Sequence, residues 1–251
     1  MLTPPVAWTV RGEDVVARRW IRQSLWEMSP RDHRDTPAAM RRRQIVTASV
    51  VVVGAIVLGI SLRVEPGSAW FYPLTFGLAG VWTAGAFASG RLHLGHIVTD
   101  DPDDDDGLVR PVLQPIAIGL ALSAVFVVGA LVVREIPILS DQVGKVMAFA
   151  TEGSLPVLVV VTLVNGIAEE LFFRGAAYAA IRRDPVLWTT VAYVVATAAT
   201  GNIMLAFAAI ILGWIVGLQR RASGGILAPI LTHCTWSLSM LIALPLIFGL
   251  R

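Results

Sequence analysis

The chain has little charge and almost no cysteine. Of its 251 residues only 15% are Asp, Glu, Lys or Arg against 55% hydrophobic residues, and a single cysteine stands at position 234. One thiol excludes an intrachain disulfide and any cysteine-rich zinc module. So little charge, with a mean hydropathy of +0.70, excludes an ordinary soluble domain and points to a polytopic membrane protein. The His-Glu-x-x-His and Gly-x-Ser-x-Gly sequences of zinc and serine hydrolases are missing. The first forty residues hold no apolar stretch that would mark a cleaved secretory signal. No basic run is interleaved with aromatics in the way a nucleic-acid module requires, so no nucleic-acid partner is expected. There is no internal repeat of 20–50 residues.

What is present is a series of apolar runs close to the roughly 20 residues a helix needs to cross a bilayer. Charged breaks separate them, and they predict an all-α bundle of about seven spanning helices at 44–62, 69–89, 112–133, 153–174, 185–201, 203–219 and 224–250. The fifth and sixth runs are short and rich in Ala, Gly and Thr, which suits helices packed on other helices. Asp184 and Pro185 read as the N-cap and first-turn proline of the fifth. Nine of the twenty Lys and Arg precede residue 44, and Arg41, Arg42 and Arg43 abut the first run. With seven crossings and this end in the cytoplasm, sixteen basic residues fall inside and four outside, as the positive-inside rule demands. The chain therefore reads as an integral protein of a prokaryotic-type plasma membrane, with its N-terminus cytoplasmic and the lipid bilayer as its first partner.

Three segments follow from this. Residues 1–43 form a basic cytoplasmic segment in which Arg18, Arg19 and Arg22 alternate with Trp20 and Trp26, while Ala17, Ile21, Leu25 and Met28 keep helical spacing. That is either an amphipathic helix on an anionic membrane face or a tail that only carries topogenic charge. Residues 44–111 hold two accessory spans and a tract with six aspartates at 100–106. Residues 112–251 make the core, with an outer amphipathic helix expected over 134–152. His93 and His96, just before the aspartates, read as part of a solvated cytoplasmic loop or as a weak divalent-cation site.

The chemistry concentrates at Glu169, Glu170 and Arg174, at the end of an apolar run. A carboxylate deep in a bilayer costs about 2.5–3.5 kcal/mol, so these acids must be paired, wet or working. On a helix Glu170 and Arg174 share a face and pair, and Glu169 lies about 100° around from them. Downstream, His233 and Ser237 stand four residues apart within the last run, and Asn165, Thr197 and Asn202 also sit in apolar surroundings. One reading is an ion-paired helix end plus a hydrogen-bonded core histidine. The other is a shared wet pocket, in which Glu169 activates a water and His233 hydrogen-bonds the oxyanion formed when that water attacks a carbonyl. Cys234 diverges by about 100° from its neighbour His233 on a helix, so they form no dyad and the thiol packs. Intramembrane acids also mark ion paths, but the matching broken helices of many carriers are missing here.

These residues resemble the CPBP intramembrane protease family, which includes the type II CAAX prenyl endopeptidases and bacteriocin self-immunity proteins, over about 155–245. Its motif Glu-Glu-x-x-x-Arg is matched by Glu169, Glu170 and Arg174, with Gly175 following. His-x-x-x-Asn is matched at His233, with Ser237 in the place of asparagine, and the run from Gly225 through Ala228 and Pro229 to Thr232 is similar to the usual lead-in. The second motif, Phe-x-x-x-His, falls on Tyr193 to Thr197 and carries threonine for histidine. Threonine hydrogen-bonds a water but neither accepts its proton near neutrality nor ligates a metal strongly. The resemblance implies an intramembrane endopeptidase acting near the cytoplasmic face on a peptide or lipidated-protein substrate. Glu169 would be the base, Glu170 its arginine-paired neighbour, His233 and Ser237 the oxyanion donors, and Thr197 a water-orienting group. One histidine and two acids, one of them committed to Arg174, make a poor zinc set, so no cofactor is expected, with zinc the metal left open. The threonine also allows an alternative, a catalytically inactive relative acting as an immunity or interaction protein in the membrane.

Overall fold

Backbone amides in a bilayer core must be satisfied within their own segment, so an apolar chain of this kind is driven to helices. The computed structural model describes residues 12–29, 35–61, 63–98, 107–151 and 153–249. Among the described residues there are nine helices. They are α1 Gly12–Leu25, α2 Pro37–Ser61, α3 Phe71–Ser89, α4 Leu113–Val133, α5 Pro137–Thr151, α6 Leu155–Ala180, α7 Pro185–Ala198, α8 Ile203–Ser223 and α9 Leu227–Phe248. Two short strands, β1 Ile97–Val98 and β2 Leu108–Val109, pair antiparallel with Ile97 opposite Val109. The acidic tract at 100–106 lies outside the described residues.

All seven expected spans are helical, but α2, α4, α6, α8 and α9 are the five that are long and apolar enough to cross a membrane. The α7 helix has 14 residues, about 21 Å at 1.5 Å per residue, short of a hydrocarbon core of about 30 Å. In α3, Pro73, Thr75, Gly77, Gly80, Thr83 and Gly85 dilute the hydropathy. The structure is thus that of a helical integral membrane protein with five such helices, and the expected count of seven is corrected to that extent. Its outward stripes are apolar: Val157, Val160, Val164 and Ile167 on α6, and Val125, Val128 and Val132 on α4, are exposed. An apolar stripe at helical spacing that packs on no other helix belongs to lipid.

Inside, Trp82 of α3 lies against Phe172 and Phe173 of α6, with ring centroids 4.7 and 5.1 Å away. Gly54 of α2 admits that indole, because a Cβ there would overlap it. Most of the described arginines gather at one end. Arg42 donates to Ala88 O, Arg43 pairs with Asp35 at 2.9 Å and donates to Arg91 O, and Arg110 donates to Gly95 O. Arg220 Nε donates to Arg174 O, and Arg221 donates to Leu25 O. The α1 helix docks on the end of α8 through Ser29, whose N and Oγ donate to Ala222 O, and it exposes Ile21, Trp26 and Met28 beside Arg18, Arg19 and Arg22.

Two local expectations are corrected. His93 and His96 lie in a packed extended segment rather than a solvated loop: His93 O accepts from Ile226 N, Leu94 O from Leu227 N, and His96 N donates to Ser223 O. Burial, then the positive charge of Arg220, Arg91 and Arg43, lowers the His93 pKa, and the same field opposes a divalent cation there. Asp184 stands at the N-cap of α7 but is left-handed at φ 49° and its side chain accepts no cap hydrogen bond. Pro185 does occupy the first turn.

At the opposite end, Phe71 stacks on Phe149 of α5 at 4.9 Å. Asn202 caps α8 by accepting from Met204 N and Leu205 N and donates to Gln142 O.

The packed segment depends on Gly225, where a Cβ would overlap the backbone of Leu94 and Gly95. Gly225→Ala should cost about 1–3 kcal/mol by overpacking and lower the thermal midpoint in detergent. Gly80→Ala, where a Cβ meets nothing within 4 Å, should leave the midpoint unchanged or slightly raised.

Candidate active site

The α6 helix changes pitch where the motif lies. It is α-helical to Glu170, π-helical over Leu171–Ala177 and α-helical again over Tyr178–Ala180. A π segment widens the helix and re-aims its side chains, and such segments recur at functional sites. Six of its seven residues are buried, Arg174 among them.

Glu170 is wholly buried, and its Oε1 accepts from Arg174 Nη1 at 3.1 Å and from His233 Nδ1 at 2.7 Å. A carboxylate only accepts, so Nδ1 carries the proton. The outward Nε2 is then a lone pair on the neutral ring and a donor on the imidazolium. Arg174 also donates from Nη2 to Gly213 O at 3.2 Å, and its guanidinium lies 4.7 Å from the Tyr193 ring centroid. Gly213 makes room for this, since a Cβ would come within 3.2 Å of Nη2. The pairing expected between Glu170 and Arg174 is present, and His233 joins it.

Glu169 turns away from that pair and accepts the Tyr193 hydroxyl at Oε2, 2.8 Å distant. It faces a cavity of about 340 Å³ whose lining also includes Asn165, Tyr193, Thr197, His233 and Ser237. Side chains from α6, α7 and α9 are thereby brought together. Glu170 and Arg174 are not part of the lining and lie behind it. Asn165 donates to Val161 O one turn back, at 2.9 Å. Asn202 is not in this cavity. It lines a second one of about 220 Å³ with Gln142, Lys145 and Phe149. Cys234 is buried beside Gly166, where a Cβ would lie 3.5 Å from its Sγ.

Two features escaped the sequence reading. The Tyr193 hydroxyl was legible only as a polar tip one helical turn from Thr197, and its choice of Glu169 needed the fold. The second is a buried relay just before His233, in which Gln219 Nε2 donates to Thr232 Oγ1 and Thr232 donates to Pro115 O, each at 2.8 Å. It ties α9 to α8 and α4 and so sets the height of the imidazole.

The donors do not suit zinc. Glu170 and His233 Nδ1 are spent on each other and on Arg174, which leaves Glu169 and Nε2 facing the cavity, one short of the three protein ligands a catalytic zinc uses.

Residues 151–239 match the family model described as type II CAAX prenyl endopeptidase Rce1-like. That segment runs from the end of α5 into α9 and contains Glu169, Glu170, Arg174, Tyr193, Thr197, His233 and Ser237. No curated protein and no solved structure matches the chain. The accessory helix α3 lies outside the matched segment yet supports it through the Trp82 contact with Phe172 and Phe173.

Removing Arg174 strands the Glu170 carboxylate in a dry site. Arg174→Leu should cost about 3–5 kcal/mol, seen as a lower thermal midpoint in detergent. The double variant with Glu170→Gln should recover part of that loss.

Proposed function

We propose that the protein is an intramembrane endopeptidase in which Glu169 activates a water for attack on a peptide carbonyl. The observation that carries this is the shared cavity, onto which Glu169, Thr197, His233 and Ser237 open from three helices. Tyr193 holds Oε2 of Glu169 and so fixes the carboxylate with its other oxygen available to a water. Glu169 takes a proton from that water as the oxygen bonds to the carbonyl carbon. The oxyanion is met by His233 Nε2 in the imidazolium form, which the Glu170 carboxylate stabilises at Nδ1, and by the Ser237 hydroxyl. The C–N bond then breaks, and Glu169 returns the proton to the leaving amine. Thr197, one turn from Tyr193, orients the water. The steps need no metal.

The same reading places the N-terminus and the arginine-rich end in the cytoplasm. Glu169 is 14 residues, about 21 Å, from the start of the α6 helix Leu155–Ala180. The bond cleaved therefore lies in the half of the bilayer nearer the basic end. The substrate is a peptide or a lipidated protein.

A second reading is favoured by Thr197, which stands where the second motif of the family has histidine. In it the cavity binds a peptide and does not cleave it, and the protein acts as an immunity or interaction factor.

Glu169→Gln should lower cleavage of a peptide library in detergent by about 10²–10⁴-fold with little change in thermal midpoint. Full activity in Glu169→Ala would refute the assigned base. If the native protein is inert and Thr197→His gains hydrolysis, the second reading holds.

A further inference from the structure

The cavity has a direction. Its floor is made by Glu169, Tyr193, Leu212 and His233. Below the floor, toward the arginine-rich end, the chain is closely packed: Glu170, Phe172 and Arg174 are fully buried, and Gly95 sits back to back with Gly225. Among the described residues, no lining residue comes from beyond the floor on any helix. The α6 lining ends at Glu169, the α8 lining ends at Leu212, and the α9 lining begins at His233. On α2 and α3 the lining is confined to the last turn of the one, Leu58 and Ser61, and the first half of the other, Phe71 to Leu78.

The mouth is therefore at the other end, where Ser61, Phe71, Val146 and Thr200 line it. The second cavity shares Val146 and Thr200 and adds the polar groups of Gln142, Lys145 and Asn202, so a polar vestibule adjoins the chamber. Within the chamber apolar walls are interrupted by the hydroxyls of Thr75, Thr162 and Thr197. Such a lining takes apolar side chains and offers hydrogen bonds to an extended backbone.

Of the sixteen described Lys and Arg, thirteen fall on the floor side, all but Arg63, Arg134 and Lys145, and the positive-inside rule makes that side cytoplasmic. We infer that the site is reached from the non-cytoplasmic face, through the vestibule beside α5, and that its substrate is an apolar peptide segment presented from that side rather than a terminus presented by the cytosol. The statement about substrate rests on the endopeptidase reading, whereas the route does not.

Thiol accessibility tests the route without using activity, so an inert protein would report it equally well. In a full-length Cys234→Ser background, single cysteines are placed by Thr162→Cys inside the chamber, Thr200→Cys at the mouth and Arg182→Cys at the basic end. A small, charged, membrane-impermeant methanethiosulfonate is applied to intact cells and to inverted vesicles. Thr200→Cys and Thr162→Cys should be modified in intact cells, and Arg182→Cys in inverted vesicles alone. Modification of Thr162→Cys from the inverted side only, or its failure to react in intact cells, would overturn the route. An apolar nonapeptide of Leu, Ala and Phe added outside should slow modification of Thr162→Cys and leave Thr200→Cys less affected. If it protects neither, the substrate half is wrong while the route stands on the labelling.

Discussion

A charge with no water around it has to be answered by its neighbours, and in this molecule that charge is Glu170. Its Oε1 holds Arg174 and His233 together at hydrogen-bond distance, and through them it joins α6 to α9. Arg174 extends the connection to α8 through Gly213 O and to α7 through the Tyr193 ring. Four helices are thus registered on one buried carboxylate. Burying such a group is costly, and the cost is offset only when every neighbour is correctly placed. The arrangement specifies the fold at this level of the bundle more sharply than apolar packing between lipid-facing helices can.

The same constraint separates two adjacent residues of identical type. Glu170 is committed to cations and walled off, whereas Glu169 is held by one neutral phenol and opens on the cavity. Helical geometry makes the division, because consecutive residues point about 100° apart. The π segment that follows lets Arg174 stay on the Glu170 side while its carbonyl accepts from Arg220. Position, not residue identity, leaves one acid structural and the other available to chemistry.

How much of this could be read from the sequence depends on the range of each interaction. The helical class and the pairing of Glu170 with Arg174 were legible because hydropathy and i,i+4 spacing are local. The shared cavity was an inference from scattered polar residues, and its lining includes Asn165, Glu169, Thr197, His233 and Ser237 but not Asn202. The partner of His233 was not legible, since a sequence separation of 63 from Glu170 carries no pattern that selects one acid over the other. The packed segment around His93 was misread for a similar reason. A polar stretch next to an aspartate tract has the composition of a loop, and only the fit of Gly95 against Gly225 turns it into a plug. The span count differs because α7 has only 14 residues and the glycines, threonines and proline of α3 dilute its hydropathy, so neither meets the length and apolarity of a full crossing.

The substitution at Thr197 and the hydroxyl at Tyr193 are best considered together, since both project from α7 toward Glu169. A histidine at the first position could share the work of positioning and deprotonating a water, and threonine can do only the first part. In the endopeptidase we propose, the whole of proton acceptance then falls on Glu169. A carboxylate acting alone must present a fixed oxygen to the water, and an unanchored one would sample several rotamers at a cost of about 1 kcal/mol or more to immobilise. The Tyr193 hydroxyl supplies that anchor at Oε2, and the ring itself is fixed by Arg174 on its face and by Phe173 at 5.0 Å. The ion pair that registers the helices thereby also holds the phenol that holds Glu169, on one chain of contacts from Glu170 through Arg174 and Tyr193 to Glu169.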